Sequence, residues 1–253
     1  MEAYFVAEAM KYRHTYLKAL LVGAPVVTVL LSGALTHNYF SIDCYNWWYT
    51  LMYPGINALL SFSIINKDRK LKNQTILSLP YQTGKVWDAK VGIGLLYSGA
   101  AMGVLFLAAL IFGNFMSKFL QVSFTIELSV AQQVLGSILL WIASLWQIPF
   151  CFLLTQKLGT LPMMLIHVGL VTILGVTASL KPWFYIFPQA IASRLMCTVL
   201  KVLPNGLPAV EGQMTFTPEL IGWQHVAVGT VSSILWFLLL WQAGKKLYER
   251  QAG

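Results

Sequence analysis

The chain is poor in charge, and poorest where it is most apolar. Of its 253 residues 9 are acidic and 17 basic, so charged residues make up 10%, against about 25% in ordinary soluble domains. With hydrophobic residues at 57%, a soluble fold would leave apolar surface with nothing to cover it. Cysteine is scarce: Cys44, Cys151 and Cys197 supply no disulfide framework, and Cys44 and Cys197 either pair or pack independently. Two signatures of chemistry are missing. There is no H-E-x-x-H, and Gly84-Lys85 lacks both the glycine five positions earlier and a following Ser or Thr, so this chain is not expected to bind ATP itself. No internal repeat and no low-complexity tract interrupts the sequence.

Six stretches hold no Asp, Glu, Lys or Arg: 19–36, 45–65, 91–113, 129–154, 161–180 and 222–243. A hydrocarbon core of about 30 Å takes about 20 residues of helix. The expectation is an all-α integral membrane protein, one domain over 1–253 with six transmembrane helices. Spans without ionisable groups argue against intramembrane hydrolysis and against ion-coupled transport, which place carboxylates or metal ligands at depth. His167 lies near a span centre with no second ligand or carboxylate beside it. A neutral ring bonded to a neighbouring helix is expected there, with no metal, and His225 falls near the outer end of the sixth span. Asn57, Gln132, Gln133 and Gln147 are expected to hydrogen-bond between helices.

Aromatic residues mark the expected rims: Trp47, Trp48, Tyr49, Trp183, Tyr185, Trp223 and Trp241. Trp141 and Trp146 fall mid-span and should pack against other helices. Gly99-x-x-x-Gly103 and Gly229-x-x-x-Ser233 permit close helix approach, and Pro25, Pro149 and Pro162 should kink or end helices.

With the amino terminus inside, thirteen basic residues fall in 1–18, 66–90, 155–160 and 244–253, and four fall outside: Lys118, Lys181, Arg194 and Lys201. This positive-inside bias puts both termini in the cytoplasm and accounts for the net charge of +8 without nucleic acid. Ser32-Gly33-Ala34 loosely resembles a cleavage site, but the length of chain before the first span favours a retained anchor. In residues 2–18, Glu8, Lys11, Thr15 and Lys18 recur at helical spacing with Phe5, Ala9 and Tyr16 elsewhere, which predicts an interfacial helix.

Two loops stand out. The inner loop 66–90 is long and basic, with the apolar-then-proline core Ile76-Leu77-Ser78-Leu79-Pro80. The external segment 181–221 contains 189–203, where Arg194, Thr198 and Lys201 share one stripe between Pro188 and Pro204-Asn205-Gly206. An external amphipathic helix on or dipping into the outer leaflet is expected between spans five and six. Asp43, Glu127, Glu211 and Glu219 read as solvated loop charges.

These features resemble the membrane subunits of type-two ABC exporters. The inner loop carries Asp68, Arg69, Leu77, Leu79, Pro80, Lys85 and Lys90 in the order of that family's coupling loop, with Asp68 where a glutamate is usual. The external run Trp183–Pro188, then Arg194-Leu195-Met196-Cys197 and Leu203–Pro208, is similar to the E-type permeases of lantibiotic self-immunity. The resemblance implies a bacterial cell-membrane permease paired with a second, related six-span permease and two copies of an ATPase subunit, with ATP and magnesium bound in that partner. It implies that Asp68, Arg69, Lys70, Leu77, Leu79, Pro80 and Lys85 meet the ATPase. It further implies that the external segment, with Trp183, Tyr185, Arg194, Lys201 and Asn205, faces a cationic peptide substrate. No catalytic residue and no cofactor of the chain's own is expected.

Overall fold

Apolar runs, and the prolines and glycines between them, decide where the helices of this chain begin and end. The computed structural model describes residues 1–13, 15–69 and 82–252. Ten α-helices are described: α1 (Glu2–Met10), α2 (Leu17–Thr36), α3 (Phe40–Trp47), α4 (Tyr53–Arg69), α5 (Thr83–Phe119), α6 (Val130–Ser144), α7 (Gln147–Leu158), α8 (Thr160–Thr177), α9 (Pro188–Val199) and α10 (Trp223–Ala252). Among the described residues there is no strand, only an isolated antiparallel bridge between Val202 and Pro208.

Five helical runs are long and apolar enough to cross a membrane: Leu17–Lys67, Thr83–Phe119, Val130–Leu158, Thr160–Thr177 and Trp223–Arg250. The first has 51 residues, about 76 Å if straight, more than twice a hydrocarbon core. It is not straight. The backbone leaves helical geometry at His37 (φ −5°, ψ −72°), and α3 packs back against α2. A π-helical turn, Trp48–Met52, then joins α3 to α4, and Thr172 of α8 donates to the Thr50 carbonyl there at 3.0 Å.

The expected fourth stretch is divided at Leu145-Trp146 into α6 and α7. Pro149 sits in the first turn of α7, where a missing N–H costs no helical bond, and Pro162 does the same in α8. Between those helices Gly159 has φ +83°, a left-handed conformation that suits glycine. Pro25 lies inside α2.

Helix α9 is enclosed rather than laid on a surface. It packs against α6, α8 and α10, and nearly every residue from Pro188 to Val199 is buried. Each surrounding helix offers it a glycine. A Cβ on Gly229 of α10 would lie 2.4 Å from Leu195 Cδ1, one on Gly175 of α8 would lie 3.2 Å from Ser193 Oγ, and one on Gly136 of α6 would lie 2.8 Å from Leu200 Cδ2, just past the helix end. The Gly229 motif thus makes a close approach. At the other motif, Gly99 lies against Trp141, whereas Gly103 meets no atom and opens on an apolar groove of about 440 Å³.

The middle of the bundle is tied by side chains from four helices. Asn57 of α4 donates to Gln147 Oε1 of α7 at 2.9 Å and accepts from Ser98 of α5 at 2.8 Å. Tyr53 meets Ser98 Oγ at 2.7 Å, and His167 Nε2 of α8 lies 3.4 Å from Gln147 Oε1. At about 0.6 kcal/mol for an average interhelical bond in a membrane, this chain is worth some 2 kcal/mol. Its larger effect is to join four helices through shared acceptors, with Gln147 Oε1 approached by both Asn57 and His167.

Candidate functional site

The two stems of the 66–90 loop are fastened to both ends of the chain. Glu8 of α1 points inward. Lys90 of α5 donates to its Oε1 at 2.8 Å, Lys11 pairs with Oε2 at 2.8 Å, and Tyr12 OH lies 2.5 Å from Oε1. The Ile64 carbonyl of α4 lies 3.2 Å from Tyr12 OH and 3.5 Å from Lys90 Nζ. Lys90 is 0% and Glu8 3% exposed, so the pair stands free of water and ties α1, α4 and α5 together. Burying two charges is tolerable only with such a set of partners. On the same side Gln82 N–H donates to Tyr4 OH at 3.3 Å, and Lys85 stands 5.9 Å over the Tyr4 ring.

The opposite side of the same turn of α5 grips α10. Asp88 accepts from Trp241 Nε1 at 2.9 Å and from Lys245 Nζ at 2.6 Å, while Trp87 Nε1 donates to the Trp241 carbonyl at 3.1 Å. Two glycines let the helices close. A Cβ on Gly244 would stand 2.2 Å from Trp87 Cζ2, and one on Gly84 would stand 2.1 Å from Glu249 Oε1. This contact explains why α5 begins at Thr83, well before the expected span at 91: residues 83–90 are held helical by neighbours on both faces.

Of the expected coupling residues, Asp68 and Arg69 close α4, and Lys85 lies in the first turn of α5. Lys70, Leu77, Leu79 and Pro80 lie outside the described residues. Lys90 was named in the sequence only as a member of the loop, and Glu8, Asp88, Trp241 and Lys245 were not singled out as contacts of this region. The one signal is that acidic Glu8 and Asp88 stand alone among basic neighbours.

The other end of the bundle gathers residues 36–49, 113–130 and 178–225. Arg194 is 3% exposed and does not stand on an outward stripe. It donates to the Ser179 carbonyl at 3.1 Å and the Glu219 carbonyl at 2.8 Å, and lies 5.2 Å over the Phe184 ring. Ser179 follows the carboxyl end of α8, so the guanidinium answers that helix's dipole. Burial pushes the neighbouring Cys197 thiol up to about 12, so it stays neutral beside Arg194. Thr198 bonds Gly222 in both directions, as donor at 3.4 Å and acceptor at 3.1 Å. The stripe of Arg194 and Thr198 therefore serves backbone groups inside the protein. Trp183 and Tyr185 are exposed at 42% each. Lys201, in the left-handed region at φ +57°, and Asn205 are exposed too.

Trp48 and Tyr49, expected at a rim, are buried; Trp48 stacks on Tyr53 at 5.1 Å. Asn46 reaches from α3 to the Leu203 carbonyl at 3.3 Å, and Gly206, at φ +87°, turns the chain against Asp43 and Asn46. Cys44 and Cys197 are buried free thiols in separate apolar clusters. Among the described residues no three His, Cys, Asp or Glu side chains are grouped to hold a metal.

The architecture defined by these contacts is a bundle of helices fit to cross a membrane, with a junction of termini and loop stems at one end and an enclosed helix at the other. No family model, no curated protein and no solved structure matches the chain.

Proposed function

We propose that the chain is the permease subunit of an ATP-driven exporter of the ABC type, which clears lantibiotic-like cationic peptides from the outer face of a bacterial membrane. On this reading Leu17–Lys67 crosses twice, turning at His37, so there are six crossings and both termini face the cytoplasm. The loop 66–90 docks an ATPase subunit, ATP and magnesium bind there rather than here, and a second permease completes the pair.

The observation that carries the reading is the fastening of that loop's stems. A force applied to 66–90 meets α1 through Lys90 and Glu8, α10 through Asp88 and Lys245, and α4 through the Ile64 carbonyl. Movement of the loop is thereby carried into the bundle rather than lost in a slack connection. A free-standing scaffold has no need of such a joint.

The test is purification of the chain from its own membrane with whatever ATPase accompanies it. An ATPase subunit is expected in about equal amount, and replacing Leu77, Leu79 and Pro80 together is expected to abolish the association. Association undiminished by that change overturns the docking assignment. Unchanged peptide sensitivity of cells lacking the chain points instead to another lipid or peptide cargo.

A further inference from the structure

A cavity of about 210 Å³ lies at the end opposite the termini, between α3, the last turns of α5 and the segment 120–129. We propose that it receives the ammonium group of a lysine-like side chain on a cationic peptide; this rests on the export reading and names what the outer face recognises. Whole small-molecule sites usually occupy about 300–1,000 Å³, so the space suits one side chain rather than a whole ligand.

The chemistry of the wall decides the ligand. Its floor is aromatic, with Phe40 and Phe124 at 5.9 Å between ring centres, and Gly113 admits the Phe40 ring, which a Cβ there would meet at 3.2 Å. The polar groups above the floor have spent donors on the backbone. Asn114 Nδ2 donates to the Leu110 carbonyl at 2.8 Å, and Gln133 Nε2 donates to the Leu128 carbonyl at 3.1 Å. Ser41 Oγ donates to the Ile126 carbonyl. Both amide oxygens remain as acceptors with no protein donor among the described residues. Glu127 lines the same space, and no ion pair among the described residues involves it. An ammonium has three donors and no acceptor, which fits this surplus, and its methylene stem would lie along the aromatic floor.

The backbone that carries Glu127 is braced, while its carboxylate is exposed. Thr125 N–H donates to the Asn38 carbonyl at 2.8 Å. The carbonyls on either side of Glu127, those of Ile126 and Leu128, are both bound. Ser129 caps α6, with Gln132 returning a bond to its N–H at 3.0 Å. Little backbone ordering is left for a ligand to impose, which favours binding.

A thermodynamic cycle tests the assignment, using the full chain in a non-ionic detergent and a short, water-soluble lysine peptide with its acetyl-lysine twin. Glu127→Gln is expected to weaken the lysine peptide about tenfold, and acetylation to weaken binding to the unaltered chain by about the same. Combined, the two changes should cost about tenfold rather than a hundredfold, because they remove one interaction. Glu211→Gln, an exposed acidic residue outside the cavity, should change nothing. Multiplying losses, an unaffected Glu127→Gln variant, an equal loss in Glu211→Gln, or no saturable binding at millimolar peptide each overturns the proposal. Failure here while an ATPase still co-purifies removes the cavity and leaves the transporter; success without any ATPase does the reverse.

Discussion

Lys90 and Glu8 sit where neither can be served by water, and that decides how each responds to change. Breaking a buried pair strands the remaining charge and costs about 3–5 kcal/mol, whereas replacing both members with apolar groups is often nearly neutral. Lys90→Met leaves Glu8 with Lys11 and Tyr12, so the lower figure, about 3 kcal/mol, is expected. The double replacement Lys90→Met with Glu8→Leu should return to within about 1 kcal/mol of the parent. Thermal unfolding in detergent measures both, and a double variant less stable than the single one contradicts the account. A second residue-scale case is Gly229. Gly229→Ala drives a methyl into Leu195 and should cost about 1–3 kcal/mol by overpacking. In a Leu195→Ala background the same change should cost clearly less, since the obstructing methyl is gone. Neither pairing is written in the sequence: a glutamate at helical spacing reads as a solvated stripe until its neighbours are known.

Between elements, the contact of α5 with α10 combines a soft and a hard side. Gly84 faces the flexible ends of Lys245 and Glu249, whereas Gly244 faces the ring of Trp87, which is fully buried. Gly244→Ala is therefore expected to lower the unfolding temperature more than Gly84→Ala, because a long side chain swings aside and a packed indole does not. The Asp88–Lys245 pair is partly exposed, so Asp88→Asn should cost no more than about 1 kcal/mol globally. It should nevertheless speed hydrogen exchange across 241–250, the segment it pins. Equal exchange in both proteins would show that the tail is held without it. At this scale the sequence was legible in part. Helix breaks at Pro149 and Pro162 follow from missing N–H groups, but the enclosure of α9 does not follow from its pattern. Arg194 and Thr198 form a polar stripe whether they face water or, as here, the carbonyls of Ser179, Glu219 and Gly222. Periodicity reports that one face is polar and is silent on what satisfies it.

At the scale of the whole molecule, the apolar runs were legible because leaving charge out of about 20 consecutive residues has few explanations other than a membrane. Their count was less so, since Leu17–Lys67 is one helical run broken only by a short irregular stretch, with non-helical angles at Thr36, His37 and Tyr39. Sidedness separates the possibilities. With six crossings the two ends of the chain share one side, and with five they stand on opposite sides. The native cysteines are all buried, so a membrane-impermeant thiol reagent should label little in the parent. Three exposed positions serve as reporters: Met10 on α1, Arg250 on α10, and Met214, which at 91% is the most exposed large apolar residue among the described ones. In intact cells Met214→Cys should be labelled, while Met10→Cys and Arg250→Cys should react only after the membrane is opened. Labelling of one terminus but not the other in intact cells would establish an odd number of crossings. It would also move the Lys90–Glu8 and Asp88–Lys245 junction out of line with a single cytoplasmic partner, because both pairs belong to the same turn of α5 and need both termini beside it.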